Sequence, residues 1–164
     1  MSAIRRCVPI LLLVACVAAD GKSISNRPVA WTVRPDKALM RKDGLLRGVI
    51  LRATIKPGWH VYSLTQTRGG PVPMKVQLDP SPPFTLSPAV VGPRPQRSFD
   101  SNFGIETETY SGTADFHVPI AVAENVDPAG GVVTVRVRYQ ACSDKVCMPA
   151  RTETLTQPLR VATR

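Results

Sequence analysis

Apolar and polar residues alternate along this chain in short runs that turn-forming residues separate. Successive residues of a β-strand point to opposite faces, so an alternating run predicts a strand with one buried face. Runs of this kind predict strands over residues 48–55, 59–64, 74–78, 114–123, 132–140 and 151–161. The proline-rich segment 79–96 predicts an extended connection with one short edge strand, because proline cannot donate to a strand ladder. Pro119 interrupts its own run and predicts an edge position or a bulge there.

The side chains expected in the core come from the three strongest runs. They are Val49, Leu51, Ala53, Ile55, Phe116, Val118, Ile120, Val122, Val133, Val135, Val137 and Tyr139. No segment keeps helical periodicity for long, and 16 prolines and 11 glycines punctuate the sequence. Many short strands between turn signals are typical of a β-sandwich, so we predict an all-β fold. We place a single domain at residues 29–164, with residues 20–28 as a loose lead-in.

Residues 1–19 have the composition of a secretory signal segment. Arg5 and Arg6 precede an apolar run that is too short to span a bilayer stably, and small residues follow it. Cleavage after Ala19 would release a soluble protein. Alternatively, the residues LVAC ending at Cys16 resemble a bacterial lipobox, in which Cys16 is lipidated and anchors the protein to a membrane. Both routes place the mature protein outside the cytoplasm.

That location decides which cysteines are available for chemistry. Of four cysteines, Cys7 lies in the removed segment and Cys16 is either removed or lipidated. Cys142 and Cys147 remain, in a compartment where disulfides persist. The polar loop between them has the length of a hairpin turn, which brings two cysteines within disulfide range. Pro149 then denies a donor to the ladder beyond the second cysteine.

The spacing of this pair leaves three roles open. A structural bridge is the commonest role outside the cytoplasm, but closing so short a loop stabilises a fold by only roughly 2 kcal/mol. A redox-active pair is the second role. Zinc needs four ligands, and only His60 and His117 stand beside the two thiolates, so a zinc site is not expected. Copper(I) handling is the third role, with help from Met148 or Met74.

Composition excludes other classes of function. The net charge of +9 is spread thinly, and no basic block interleaved with aromatic residues predicts nucleic-acid binding. Attraction to an anionic membrane or an acidic partner would be unspecific. Gly69 and Gly70 form a turn without a following helix, so they predict no phosphate cradle. We expect no cofactor and no resident metal.

Three segments resemble the amino-terminal periplasmic domain of DsbD, the bacterial thiol:disulfide interchange protein. YQACSDKVCMP (139–149) closely resembles the active-site segment of that family. GWHVYSLTQTRGGPVPMKV (58–76) is similar to its aromatic-bearing strand, and FDSNFGIETETYSGTADFHVPI (99–120) to its cap loop. The matches follow the order of the family, although the loop between the cysteines is one residue shorter and the cap region longer and less acidic. The sequence ends at Arg164, without the membrane and thioredoxin-like domains of the family, so separate proteins would supply electrons.

The resemblance implies an immunoglobulin-like β-sandwich with a redox-active pair. Its partners would be thioredoxin-like periplasmic oxidoreductases and a membrane-embedded electron donor, and it would serve disulfide isomerases and cytochrome c maturation. Cys147 would form the mixed disulfide with a partner and Cys142 would resolve it. The resemblance also implies a cap and a surrounding shell, in which Phe103 is the cap residue, Phe99 its alternative, and Asp100, His60, Tyr62 and Tyr139 the neighbours.

Alternatives remain at this stage. Judged by residue type alone, Tyr62 and Phe103 fit ordinary core positions and His60 fits a surface hydrogen-bonding residue. The chain could therefore be a component of a thiol:disulfide oxidoreductase system or a non-catalytic immunoglobulin-like binding module with a structural disulfide. A copper(I)-handling domain is the third alternative.

Overall fold

The computed structural model describes residues 27–37, 47–66, 69–79, 84–86, 89–122 and 131–158. Their strands are β1 (Val29–Pro35), β2 (Gly48–Ile55), β3 (His60–Tyr62), β4 (Lys75–Leu78), β5 (Phe84–Leu86), β6 (Gln96–Asp100), β7 (Ile105–Tyr110), β8 (Thr113–Val122), β9 (Val132–Tyr139), β10 (Ala141–Cys142) and β11 (Arg151–Pro158). In this part of the chain, no helix is long and apolar enough to cross a membrane. The predicted signal segment and its lipidation site Cys16 lie outside the described residues.

The strands form three antiparallel sheets that share one hydrophobic core. Their orders are β1-β2-β8-β5, β10-β3-β7-β6 and β11-β9-β4. Core side chains come from every sheet, for example Leu51 and Phe116 from the first, Val61 and Tyr110 from the second, and Val135 from the third. This arrangement is the predicted immunoglobulin-like β-sandwich, and the all-β prediction is confirmed.

The alternating pattern explains which faces are buried. In β9, Val133, Val135 and Val137 are buried, whereas Arg136 and Arg138 between them are exposed. The predicted core positions of β2 and β8 are buried as well, although Ile50 on the opposite face of β2 is also buried. The side chain of Val122 lies outside the described residues. Burying one such aliphatic side chain contributes about 1.5–3 kcal/mol relative to leaving it exposed, so these three strands supply much of the stability.

One feature of the sheets differs from the simplest expectation. Pro119 lies in β8, an interior strand, at the point where pairing changes between Ile120 opposite Leu86 and His117 opposite Val91. Proline is tolerated there because the ladder is already interrupted. Within the proline-rich segment 79–96, β5 is the short edge strand that the sequence predicted.

Strand β1 was not predicted, although it pairs with β2 along its whole length. Trp31 on this strand packs against Phe116 at 6.2 Å and against Tyr139 at 5.3 Å between ring centroids. The predicted strand spans also left out β6, β7 and the short β10. Of these, β6 and β10 matter most for function, because β10 leads into the loop between the cysteines and β6 leads into the turn beside it.

Candidate redox site

Cys142 and Cys147 form a disulfide that closes a short hairpin. Strand β9 runs into β10, which ends at Cys142, and the two cysteines also face each other as an isolated antiparallel bridge. Backbone hydrogen bonds hold the same hairpin: Ser143 N–H donates to Val146 O at 2.8 Å, and Met148 N–H donates to Ala141 O at 2.8 Å. The disulfide therefore adds little constraint to a loop that the backbone already shapes, and a purely stabilising role explains its position poorly.

The two sulfur-bearing residues differ in exposure. Cys142 is fully buried, at 0 % relative exposure, whereas Cys147 is partly exposed. Val146 and Met148, on either side of Cys147, are exposed apolar residues. An incoming thiol would therefore meet Cys147 first, on a surface that is apolar around it.

His60 lies directly opposite Cys142, because β3 pairs with β10. The chain reaches β3 through a tight turn at residues 56–59, in which Trp59 N–H donates to Lys56 O at 3.1 Å. Gly58 has a φ of 77°, a left-handed conformation that glycine adopts without strain. This turn fixes the register that brings His60 to the disulfide.

Tyr62, two residues further along β3, is buried and carries a strong hydrogen bond. Its hydroxyl donates to Asp100 Oδ2 at 2.7 Å, and Asp100 is itself buried. Burial raises the pKa of Tyr62 far above its ordinary value, and the hydrogen bond to Asp100 and the charge of Asp100 raise it further. The hydroxyl is therefore a permanent donor at any physiological pH.

Asp100 also shapes the turn between β6 and β7, residues 100–104, which we call the cap turn. Its Oδ1 accepts a hydrogen bond from Asn102 N–H at 2.9 Å. Its backbone oxygen accepts from Phe103 N–H at 3.3 Å and from Gly104 N–H at 2.7 Å. Gly104 has a φ of 68°, which lets the chain turn back into β7. One carboxylate thus ties the cap turn to Tyr62.

Phe103 and Phe99, the two predicted cap candidates, occupy different surroundings. The ring of Phe103 stands edge-on to the ring of Tyr62, at 5.9 Å and 87°, and the residue is 37 % exposed. Phe99 is 65 % exposed and lines a small cavity beside His60. The aromatic contact with the buried Tyr62 favours Phe103 over Phe99 as the cap residue.

Asn102 and Asp144 belong to this site but were not predicted. Asn102 Nδ2 donates to Ser143 O at 3.4 Å, which joins the cap turn to the loop between the cysteines. Asp144, in that loop, lines the same cavity of about 120 Å³ as His60 and the cap turn. Both residues lie inside the segments that resemble the family, but no local pattern indicates that loops so far apart in sequence meet.

The imidazole of His60 lines the same cavity as two carboxylates, those of Asp100 and Asp144. Its Nε2 is 3.3 Å from the Tyr62 hydroxyl, and the two rings meet edge-on at 5.2 Å. Burial lowers the pKa of His60, and the charges of Asp100 and Asp144 oppose this with smaller effects. The neutral imidazole is therefore favoured near neutral pH.

Tyr139, the remaining predicted neighbour, points into the core. Among the described residues its ring packs against Trp31 rather than joining the contacts around Tyr62. The structure therefore gathers His60, Tyr62, Asp100 and Phe103. Tyr139 instead lines a groove with Met148 and Pro149. Within the same described ranges, no three histidine, cysteine, aspartate or glutamate side chains form a cluster that could hold a metal ion.

Comparison with known proteins agrees with this geometry. Residues 33–159 match the family model described as "Thiol:disulfide interchange protein DsbD, N-terminal". No curated protein sequence matches the chain. Among solved structures, the reduced DsbD N-terminal domain of Neisseria meningitidis is similar in fold, with a TM-score of 0.50, 20 % identity, and coverage of 70 % of this chain and 79 % of that one. The chain therefore belongs to the family of DsbD N-terminal domains, periplasmic domains of thiol–disulfide exchange that interact with thioredoxin-like redox partners.

Proposed function

We propose that this protein is an extracytoplasmic electron carrier that uses the Cys142–Cys147 pair. It would accept two electrons from a thioredoxin-like or membrane-embedded donor and pass them to disulfides of other periplasmic proteins. The observation that carries the proposal is a disulfide in a hairpin already held by its backbone. One of its cysteines is partly exposed, and a hydrogen bond joins the loop between the cysteines to the cap turn.

Reduction of the carrier begins at Cys147. A thiolate of the reduced donor attacks Cys147 Sγ, the bond to Cys142 breaks, and Cys142 leaves as a thiolate that takes up a proton. The second thiolate of the donor then attacks the donor sulfur that is bonded to Cys147. The donor's own disulfide forms, and Cys147 is released as a thiolate. The donor ends as a disulfide and the carrier as a dithiol. The greater exposure of Cys147 supports this order of attack.

Oxidation of the carrier runs through the same residues. The Cys147 thiolate attacks one sulfur of the acceptor's disulfide and forms a mixed disulfide, while the other acceptor sulfur leaves as a thiolate. Cys142 then attacks Cys147, restores the disulfide and releases the acceptor as a dithiol. The antiparallel bridge keeps Cys142 opposite Cys147, so this resolving step is intramolecular.

The residues around the pair would receive the partner. Val146 and Met148 expose apolar surface beside Cys147, and Pro149 lines a neighbouring groove. A small apolar rim suits the brief contacts that an exchange partner makes. Phe103 would cover the disulfide between encounters, with the cap turn held in place by Tyr62 and Asp100.

Trapping of mixed disulfides tests the proposal. Cys142→Ser retains the attacking thiol but lacks the resolving one, so its adducts with periplasmic thioredoxin-like proteins should accumulate on non-reducing gels and disappear with reductant. Cys147→Ser is the matched control, with the same loss of one sulfur, and should give far fewer adducts. If Cys142→Ser forms no adduct, the chain does not exchange disulfides with partners, and a binding module with a structural bridge is the better account.

A further inference from the structure

We propose that His60 is a positioning residue for disulfide exchange, whose protonation favours opening of the cap turn. The inference rests on the proposed function and adds a control of access by pH. It is carried by a continuous set of contacts that begins and ends at Cys142.

The first half of this set runs along β3 to the cap turn. His60 pairs with Cys142 across the sheet, and its Nε2 lies 3.3 Å from the Tyr62 hydroxyl. Tyr62 donates its only hydroxyl hydrogen to Asp100 at 2.7 Å. The Tyr62 oxygen is then left as an acceptor, so His60 must present a hydrogen on Nε2 to bond with it. Both the neutral Nε2–H tautomer and the protonated ring meet this requirement.

The second half returns from the cap turn to the cysteines. Asp100 holds Asn102 through the Asn102 backbone N–H at 2.9 Å, and Asn102 Nδ2 donates to Ser143 O at 3.4 Å. Ser143 directly follows Cys142 in the chain. A closed cap turn therefore depends on contacts that His60 touches at one end, and the long Asn102 contact is the weakest of them.

The charges around His60 decide how a proton acts on these contacts. Asp100 faces it from the end of β6, Asp144 from the loop between the cysteines, and Tyr62 from its own strand. The disulfide on the facing strand does not titrate, and β7 contributes only neutral threonines to the cavity wall. The two carboxylates favour the protonated imidazole, but burial acts against it more strongly.

The cap side encloses His60 from one direction, because residues 98–102 line the same cavity as His60. Opening the cap turn would hydrate His60 and remove the larger of the two opposing effects. The open form then has the higher pKa for His60 and binds the proton more tightly. By linkage, protonation favours the open form. The shift towards the open cap turn is absent at a pH above the ordinary pKa range of histidine, and it grows as the pH falls through that range.

The first test compares wild-type protein with His60→Gln. Glutamine can still donate an amide hydrogen to Tyr62, but it does not titrate. We would measure the rate constant for reduction of the disulfide by dithiothreitol from about pH 8 to about pH 5. We would divide the rate constant of wild type by that of the variant at each pH, so that the pH dependence of dithiothreitol itself cancels. This ratio is normalised to its value at the highest pH. We expect that ratio to rise as the pH falls. The rise should reach about tenfold for each unit by which the pKa of His60 in the open form exceeds its pKa in the closed form.

A flat ratio would overturn the inference. The same comparison of His60 with His60→Gln is repeated in protein that also carries Phe103→Ala. Without the Phe103 ring, access to the disulfide should no longer depend on His60, so the rate ratio should no longer rise in acid. If the rise persists in that background, the charge of His60 acts directly on the attacking thiolate and the cap turn is not involved. That outcome also contradicts the proposal.

The second test measures the proton directly and needs no variant of His60. In NMR titrations of the oxidised protein, the pKa of His60 should lie below its ordinary range and should rise towards about 6.5 in Phe103→Ala. His117, the other of the two histidines, pairs with Asp36 on another sheet and serves as the internal reference. Equal His60 values in both proteins would refute the coupling. Neither test uses a partner protein, so either can fail while trapping with Cys142→Ser succeeds.

Discussion

Two aromatic clusters in this domain have similar ring geometry but different surroundings. The core cluster consists of Trp31, Tyr110, Phe116 and Tyr139, and the cap cluster consists of His60, Tyr62 and Phe103. Tyr110 and Phe116 meet edge-on at 5.0 Å, and Tyr62 and Phe103 meet edge-on at 5.9 Å. Phe116 is 0 % exposed, however, whereas Phe103 is 37 % exposed and sits on a turn of five residues.

The difference shows that similar ring contacts can serve two purposes. In the core cluster, strands from separate sheets surround each ring, so removing a ring leaves a cavity that the sheets cannot fill. In the cap cluster, a buried carboxylate and a few hydrogen bonds hold the turn that carries the outer ring, and we propose that this ring covers the disulfide. Changes in the core should therefore act on stability, and changes in the cap on the reactivity of the disulfide.

The largest effect is expected from Phe116→Ala. Loss of this fully buried ring should lower the free energy of unfolding by about 3–5 kcal/mol, because the site can collapse only partly. Urea unfolding of the oxidised protein measures this change. The reduction rate of the disulfide in the folded variant should stay close to that of wild type, and a large acceleration would mean that the two clusters are not separate.

A smaller loss of stability is expected from Tyr62→Phe. The ring remains, but the carboxylate of Asp100 loses a buried donor, which costs about 1–3 kcal/mol. Asp100→Asn is the matched change on the other partner. In a double-mutant cycle the two losses should be clearly less than additive. Additive losses would show that the 2.7 Å hydrogen bond does not anchor the cap turn.

Phe103→Ala should affect reactivity more than stability. An edge-on ring pair contributes about 0.5–1.5 kcal/mol, so attack on the disulfide by a small thiol should become about 2–10 times faster. Stopped-flow reduction with dithiothreitol measures the rate. Phe99→Ala, which removes the more exposed ring beside the same turn, is the control and should change the rate less than twofold. Unchanged kinetics in Phe103→Ala would remove Phe103 from the cap role.

The smallest effect concerns stability and pH. Burial holds the pKa of His60 below its ordinary value in the folded protein, so the stability gained from the neutral ring is present above that ordinary value and is lost as the pH falls towards the folded value. Urea unfolding should therefore show wild type losing stability relative to His60→Gln in acid, by less than about 1 kcal/mol because the ring is only partly buried. The lowered pKa would be contradicted if the difference in free energy of unfolding between the two proteins stayed constant with pH. It would also be contradicted if wild type became the more stable of the two in acid.

Sequence reasoning predicted the local parts of the fold well. The alternation in β2, β8 and β9 is a period-two pattern that a single strand carries by itself, and it identified their buried faces correctly. β1 was missed although Val29, Trp31 and Val33 alternate with polar or small residues, because the run is brief and ends at Pro35. The cysteine hairpin followed from its spacing.

The assembly of the site was less predictable. Tyr62 and Asp100 are 38 residues apart, and Asn102 and Ser143 are 41 apart, so only the packed sheets bring them together. The resemblance placed Tyr139 in the shell around the cap, whereas its ring packs against Trp31 in the core. Its side chain shares the core face of β9, whereas the chain leaves that strand at Gln140 to pair with β3.

The reduction potential of the Cys142–Cys147 pair tests the central claim most directly. Equilibration of the protein in dithiothreitol buffers, with alkylation to count free thiols, gives this value without any partner. The account predicts a potential between about −120 and −270 mV, the range of proteins that exchange disulfides. A potential below about −300 mV would mark a structural disulfide and would contradict the assignment as an electron carrier.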